Sequence, residues 1–345
     1  MKISSHTIEA NSLPFVIAEL GHNHQGDVET CIKMIEAAAL AGASAVKLQK
    51  RANLDLYTPL AYNTSYQSEN AFGATYGEHR EFLEFDRDSY RRCIEAANHH
   101  QVVFFATAFD FQSADFLNTL GVPAFKIASG DLKSIPLIKY IAQFNKPIIL
   151  STGGGSLDDV DRAVSVLDQS GCEYALLQCT AAYPPDYSEL NLNVIKTYIE
   201  RYPKAVIGYS GHDSGISMPL VAYILGARII EKHFTLNRAM KGTDHAFSLE
   251  PSGLRKLVRD LARAKIALGD GAKRQYPSEE VPILKMGKSL YAARDIDAGE
   301  IIQFSDVEMR SPVGGILPIF FDQLVGKKIG RRLNKYEAFL DSDLA

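Results

Sequence analysis

Ala205-Val-Ile-Gly-Tyr-Ser-Gly-His212 and Arg228-Ile-Ile-Glu-Lys-His233 are two strand-like apolar runs that each deliver a histidine at their carboxyl end. A small-residue helical stretch from Gly215 to Gly226 separates them. One helix plus one strand is the repeat of an alternating parallel fold. Active sites in such folds are built at the carboxyl edge of the strands, so both imidazoles are expected there on neighbouring strands. Two imidazoles converging at that edge can hold a divalent metal and leave coordination positions open for substrate.

Six similar runs precede this pair: Phe15–Gly21, Ala45–Lys50, Val102–Phe109, Ala124–Ser129, Pro147–Gly153 and Tyr174–Thr180. With Ala205–Ser210 and Arg228–Thr235 they make a set rich in Val, Ile, Leu and Phe, as strands buried on both faces should be. Helical patterns lie between them, as in Glu29-Thr-Cys-Ile-Lys-Met-Ile-Glu-Ala-Ala-Ala-Leu40, where apolar residues recur every three or four positions. Eight units predict a closed (β/α)8 TIM barrel. A doubly wound open sheet is the competitor. The absence of a G-x-G-x-x-G after the first run weakens its dinucleotide-binding version.

The chain has 345 residues, enough for one large domain and a small one, and 46% hydrophobic residues support a sizeable core. A net charge of −4 without a basic tract argues against nucleic acid as a partner. Cys31, Cys93, Cys172 and Cys179 form no C-x-x-C and read as reduced thiols of a cytoplasmic protein. No apolar run reaches the roughly 20 residues of a membrane span, and the first residues lack a signal core.

Two segments break the rhythm. Residues 51–85 are far longer than the usual loop of about 2–6 residues. They hold Tyr57, Tyr62, Tyr66, Phe72, Tyr76, Phe82 and Phe85 around Glu78-His-Arg-Glu81, and are expected to cover substrate as a lid. Beyond Gly269, residues 270–284 read as a charged linker with two prolines. Residues 285–345 carry short β-type runs, Ser289–Ala293, Ile301–Phe304 and Val307–Arg310. The expected division is a catalytic barrel over 1–269, a linker over 270–284 and a small β-rich domain over 285–345.

The strand ends offer a polar set. In order they give Glu19, then Lys47, Gln49 and Lys50, then Thr107, then Lys126 and Ser129, then Ser151 and Thr152. Gln178, Thr180 and Tyr183 follow, then Ser210 and His212, then Glu231 and His233. A buried lysine must be paired or face an anion. Alternation turns Lys47 and Lys126 into the barrel mouth. With the hydroxyls of Ser129, Ser151 and Ser210 they make a site for phosphate plus carboxylate. The turns Ser129-Gly-Asp131 and Ser151-Thr-Gly-Gly-Gly155 add backbone donors. A divalent metal beside this anion cradle, with Glu19 and Glu231 close by, suits carbon–carbon bond formation between a small phosphorylated carboxylate and a polarised aldehyde. A Schiff-base aldolase with Lys126 as nucleophile is the alternative on the same barrel.

The chain resembles the sialic acid synthase family, the N-acetylneuraminate synthases and their phosphate-using relatives. The stretches that carry the resemblance are Ile17-Ala-Glu-Leu-Gly-His-Asn-His-Gln-Gly26, Val46-Lys-Leu-Gln-Lys50, Phe125-Lys-Ile-Ala-Ser-Gly130, Ile149-Leu-Ser-Thr-Gly153, Leu177-Gln-Cys-Thr-Ala-Ala-Tyr-Pro184, Ile207-Gly-Tyr-Ser-Gly-His212, Glu231-Lys-His-Phe-Thr235 and Asp244-His-Ala-Phe-Ser-Leu-Glu-Pro251. Lys288-Ser-Leu-Tyr-Ala-Ala293 and Val307-Glu-Met-Arg-Ser-Pro312 resemble the family's antifreeze-like (SAF) domain.

The resemblance implies condensation of phosphoenolpyruvate with an N-acylhexosamine, giving a nine-carbon 2-keto sugar acid and phosphate with C–O cleavage. The sugar would be N-acetylmannosamine, its 6-phosphate, a mannose-type or a diacetamido-trideoxy hexose, and the Tyr76-Gly-Glu-His-Arg80 run resembles that of the branch that accepts a 6-phosphorylated sugar. It implies His212 and His233 as ligands of Mn2+, with Mg2+ or Co2+ as alternatives. It implies Lys47, Thr107, Lys126, Ser129, Ser151 and Ser210 around phosphoenolpyruvate, and Glu19, Gln49, Tyr183 and Asp244 around the sugar. Glu19 and Lys126 join the two histidines as the catalytic set, and Glu231 joins the substrate-binding set. Arg310 would reach the partner subunit's barrel in a domain-swapped homodimer. Two positions depart from the family pattern. Ala181 stands where many relatives carry Asn or Ser, and Gly211 precedes His212 where many carry Asp. His22, an extra imidazole beside His24, is read as a surface residue. A non-catalytic carbohydrate- or ice-binding protein built on the antifreeze-like domain is the alternative from another class.

Overall fold

Eight parallel strands close into a barrel in the computed structural model, which describes residues 1–345. They are β1 Phe15–Gly21, β2 Ala45–Lys50, β3 Val103–Ala108, β4 Phe125–Ile127, β5 Ile148–Ser151, β6 Tyr174–Cys179, β7 Val206–Gly211 and β8 Ile229–His233. Each strand pairs with the next in sequence, and β8 returns to β1. The strands are buried on both faces because helices cover the outside and side chains fill the inside. The chain divides by its contacts into Met1–Gly269 and Asp270–Ala345. No helix is long and apolar enough to cross a membrane.

The helices start where capping chemistry allows. Asp27 accepts backbone N–H bonds from Glu29 and Thr30 to open α1, Val28–Leu40. The 51–85 segment folds into short helices, the longest being α2, Tyr76–Leu83, which opens with a reciprocal Thr75–Glu78 capping box. The next helix, α3, runs Arg87–His99. The outer ring closes with Pro251–Leu268.

Register places the chemistry. Glu19 lies opposite Lys47 on one side and His233 on the other. Gln49, Thr107 and Lys126 follow in line across β2, β3 and β4. Strand residues alternate faces, so these residues enter the barrel while Lys232 and Tyr209 point outward. The β1–β2 register shifts between Glu19 and Gly21. Gly21 sits at φ +51, and a Cβ there would lie 3.2 Å from Glu19 Oε1 and 3.4 Å from Gln49 Nε2. Only glycine turns the chain here without crowding the site.

The second unit has its own core, centred on Leu290, Ile296, Ile302, Leu333 and Phe339. Its paired strands are β9, Ser289–Ala292, and β10, Val307–Arg310. The expected strand at Ile301–Phe304 is absent. Ile301 makes a single bridge to Lys328, and Phe304 opens a 3-10 turn. Within the stretch read as linker, Glu280–Met286 forms a short helix.

Candidate active site

At the floor of the barrel mouth two lysines meet two carboxylates, all buried. Lys47 forms an ion pair with Glu19, lies 3.9 Å from Glu231 Oε1, and donates to Thr107 Oγ1 at 2.8 Å. Lys126 donates to Ser151 Oγ at 2.6 Å and lies 4.0 Å from Glu231. Gln49 donates to Glu19 Oε1 at 2.7 Å, and Ser210 donates to Glu231 Oε1 at 3.2 Å. Ser129 Oγ accepts from the Gly153 backbone N–H at 3.0 Å.

The two carboxyls are tuned apart. Burial raises the pKa of Glu19, against the Lys47 charge, and the neighbouring Glu231 raises it further. Burial also pushes Glu231 up, but the ammoniums of Lys126 and Lys47 outweigh it and hold it below the usual range. Burial lowers Lys126, with Glu231 opposing. The two neighbouring carboxyls are thus shifted in opposite directions, a pattern that acid–base sites use.

The histidines cap one side. The rings of His212 and His233 lie 5.4 Å apart between centroids. Nδ1 of His212 donates to the Thr180 carbonyl oxygen at 3.0 Å, which leaves the Nε2 lone pair free. Burial, helped by His233, lowers the His212 pKa to about 4. Burial also lowers His233, against the Asp244 charge. Nδ1 of His233 is buried without a hydrogen bond, with Asp244 Oδ2 at 3.5 Å. Neutral imidazoles with spare lone pairs are the ligating form. No group of three His, Cys, Asp or Glu is arranged to hold a metal ion. The donor set therefore fits a cation gripped by two imidazoles, with its other positions left to substrate or water oxygens, better than a closed structural site. Tyr183 packs its ring 4.0 Å from that of His212, and Phe247 lies 5.1 Å from His233.

The NeuB family matches residues 34–273, and the SAF domain matches residues 287–345. The chain belongs to the NeuB family. It is 38% identical over 355 residues to the N-acetylneuraminate-9-phosphate synthase of Drosophila melanogaster, covering 96% of this chain and 95% of that one. It is 38% identical over 316 residues to the N,N'-diacetyllegionaminic acid synthase of Campylobacter jejuni, covering 90% and 94%. Among solved structures, the N-acetylneuraminic acid synthetase of Leptospira borgpetersenii, crystallised with citrate, superposes with a TM-score of 0.72 at 33% identity, covering 82% of this chain and 94% of that one.

One cavity of about 680 Å³ in this NeuB-family barrel gathers Glu19, Lys47, Gln49, Thr107, Lys126, Ser129, Ser151, Tyr183, Ser210, His212, Glu231, His233 and Asp244. Ala181 lines it as well, with only a methyl group to offer. Arg310 belongs to the second unit, where it donates to Glu308 Oε2 at 2.5 Å and stacks 4.5 Å from the Tyr336 ring centroid.

Some strand-end residues face elsewhere. Lys50 turns outward to Glu84 at 3.0 Å, because alternation from Lys47 and Gln49 puts it on the opposite face. Thr152, Gln178 and Thr180 bond the backbone carbonyls of Leu177, Leu190 and Glu189 and serve the turns. His22, expected at the surface, instead lines the cavity between Arg51 and Arg80. Asn70, Phe109 and Thr243 line it too. Sequence reasoning passed over Arg51, and named Arg80 only as part of the Tyr76-Gly-Glu-His-Arg80 run. Arg51 directly follows β2, and Arg80 lies in the singled-out Glu78–Glu81 run, yet neither position alone says where the folded 51–85 segment puts its side chains.

Proposed function

We propose that this chain condenses phosphoenolpyruvate with the open-chain aldehyde of an N-acylhexosamine, giving a nine-carbon 2-keto sugar acid and inorganic phosphate. The observation that carries this reading is the buried Lys47–Glu19 and Lys126–Glu231 floor beside two neutral, converging imidazoles. Lys47, Lys126, Thr107, Ser129, Ser151 and Ser210 are the donors for the phosphate and carboxylate of phosphoenolpyruvate. Glu19, Gln49, Tyr183, Glu231 and Asp244 line the space left for the sugar. His212 and His233 would hold a divalent cation, Mn2+ first and Mg2+ or Co2+ next, which supplies polarisation of the aldehyde oxygen.

In the proposed reaction C3 of phosphoenolpyruvate attacks the aldehyde carbon, and the aldehyde oxygen gains a proton. Water adds to the cationic C2 and gives up a proton, for which Glu19 is the placed acceptor. The resulting C2 hydroxyl becomes the ketone as the C2–O bond to phosphate breaks, its proton leaving with the phosphate, while the proton taken by Glu19 balances the one gained by the aldehyde oxygen. Arg310 acts in trans in a domain-swapped homodimer. Val281, Leu284 and Met286 stay exposed on the short helix Glu280–Met286, apolar surface that a second copy would cover.

The test is phosphate release from phosphoenolpyruvate across a panel of N-acylhexosamines, free, deoxygenated and phosphorylated, with products identified by mass spectrometry. Release that depends on one of these sugars, stops with EDTA and returns with Mn2+ is expected. No sugar-dependent release from any of them overturns the reading. The lowered pKa of buried Lys126 also favours a Schiff-base aldolase. Borohydride trapping of a substrate adduct on Lys126 would establish that chemistry instead.

A further inference from the structure

We propose that Asn23 is a positioning residue for the acceptor sugar: acting through Ser248, it sets where the Asp244 carboxylate stands beside His233. This rests on the condensation reading above.

Asn23 lies in the turn after β1, which is held from within. The Asn23 N–H donates to the Leu20 carbonyl, the Gln25 N–H to the His22 carbonyl and the Asp27 N–H to the His24 carbonyl, each at 2.9 Å. The Asn23 side chain is buried. Its Nδ2 donates to the Phe234 carbonyl at 2.8 Å and to Ser248 Oγ at 3.0 Å. Ser248, also buried, donates its hydroxyl proton to the Asp244 carbonyl at 2.5 Å. Chemistry fixes the direction of these bonds. A carbonyl only accepts, so the amide nitrogen must face Phe234, and the Ser248 proton must go to Asp244. The result is a one-way chain from an amide of the first turn to the peptide that carries the Asp244 side chain.

The far end of this chain needs such a hold. β8 ends at His233, and beyond it the Phe234 N–H donates to the Glu19 carbonyl at 2.8 Å. Asn23 adds one further link between the two strand ends, from a side chain. Residues 235–248 make turns and bends, with no helix or strand. Pairing resumes at Leu249, whose N–H donates to the His233 carbonyl at 2.8 Å. Side-chain bonds therefore shape the loop between. The turn after β1 grips it twice: Gln25 Nε2 donates to the Lys241 carbonyl at 2.7 Å on the exposed side, and Asn23 holds Ser248 inside.

Asp244 reaches from this loop to the cavity, whereas Asn23 and Ser248 do not line it. Asp244 Oδ2 stands 3.5 Å from His233 Nδ1, and Oδ1 accepts from Thr243 Oγ1 at 2.8 Å. Neither contact ties the carboxylate to the barrel. The first is too long for a hydrogen bond, and Thr243 belongs to the same loop. The place of the carboxylate is thus set through its own backbone, the part that Ser248 and Asn23 hold. A shift of that backbone would draw the carboxylate onto the imidazole or withdraw it from the sugar, and either loses the alignment on which binding and reaction depend.

The test is steady-state kinetics of the full-length protein carrying Asn23→Ala, Ser248→Ala and Asp244→Ala, singly and combined, with the N-acylhexosamine that releases phosphate fastest in the panel above. Asn23→Ala and Ser248→Ala are each expected to raise the KM for that sugar about tenfold, as loss of one buried hydrogen bond would. The KM for phosphoenolpyruvate should stay within about twofold. Added to Asp244→Ala, either change should raise the sugar KM by less than about twofold more, because the group it positions is already gone. Should Asn23→Ala fail to fold, Ser248→Ala, which removes one oxygen, tests the same chain. An unchanged sugar KM overturns the proposal. So does an equal rise for both substrates, or an undiminished effect on top of Asp244→Ala, each the mark of general loosening. Crystal structures give a readout free of turnover: in Ser248→Ala the Asp244 carboxylate should leave its place beside His233, and a carboxylate that stays overturns the proposal. A displaced carboxylate, in a protein whose parent shows no sugar-dependent phosphate release, would instead defeat the condensation reading and leave the positioning chain standing.

Discussion

His24 is the clearest single-residue case of burial setting chemistry. Its ring stacks on Phe85 at 4.1 Å, and its Nδ1 accepts from the Gly26 N–H at 3.1 Å. Burial lowers its pKa to about 3, against a hydrogen bond to the Gly21 backbone. The folded state thus binds one proton fewer than the unfolded chain between about pH 6.5 and about pH 3. His24 contributes its full stability above pH 6.5, and that stability drains away as pH falls through the window, at about 1.4 kcal/mol per pH unit. Denaturant unfolding from pH 7 down to 4.5 is expected to show a shallower pH slope, by about one proton, in His24→Gln than in the parent. An identical slope would show that other groups carry the acid sensitivity. At this scale the sequence disclosed Lys47 and Lys126, because two-residue alternation assigns a face to every strand position. It hid His22, Arg51 and Arg80, whose meeting depends on how a long, irregular segment folds.

Among elements, the ends of β7 and β8 are tied together on their outer face. Lys232 Nζ lies 3.2 Å from Asp213 Oδ1, and the Tyr209 hydroxyl donates to the same oxygen at 2.7 Å. The tie joins the residues next to His212 and His233, so it fixes how the two imidazole-bearing chain segments approach. Lys232→Met leaves Asp213 charged and buried, and is expected to cost about 3–5 kcal/mol. The pair replacement Lys232→Met with Asp213→Leu should recover part of that, as read by denaturant midpoints. A single variant as stable as the parent would remove the tie from the account. Strand limits were legible to within a residue or two, since a barrel strand needs an unbroken apolar run. The second unit was less so. Its Ile301–Phe304 run is apolar yet makes one bridge, and its core is assembled from isolated bridges rather than long ladders.

For the whole molecule, a complementation experiment tests the proposed swapped arrangement. Under that proposal His233→Ala disables the barrel and Arg310→Ala removes only the guanidinium given to the partner. Mixed after unfolding and refolding together, the two chains form dimers in which one site has both groups intact. Random pairing is expected to restore roughly a quarter of the parent sites. Recovery would appear in the assay at low sugar concentration, where the Arg310 contact matters most. No recovery, with the mixed dimer demonstrated by mass, would put Arg310 in its own chain's site or in none.

The 51–85 segment, finally, is strapped across the seam where the first barrel strand meets the last. It holds the turn after β1 through Arg80 and His22, and the turn after β8 through Asn70 and Gly242, while the Lys241 ammonium sits 4.7 Å from the Phe72 ring centroid. A protease nick at Ser68 would therefore behave like an unbuckled belt. The staves would keep their circular dichroism, because their ladders lie below the cut, while the rim around the cavity loosened first.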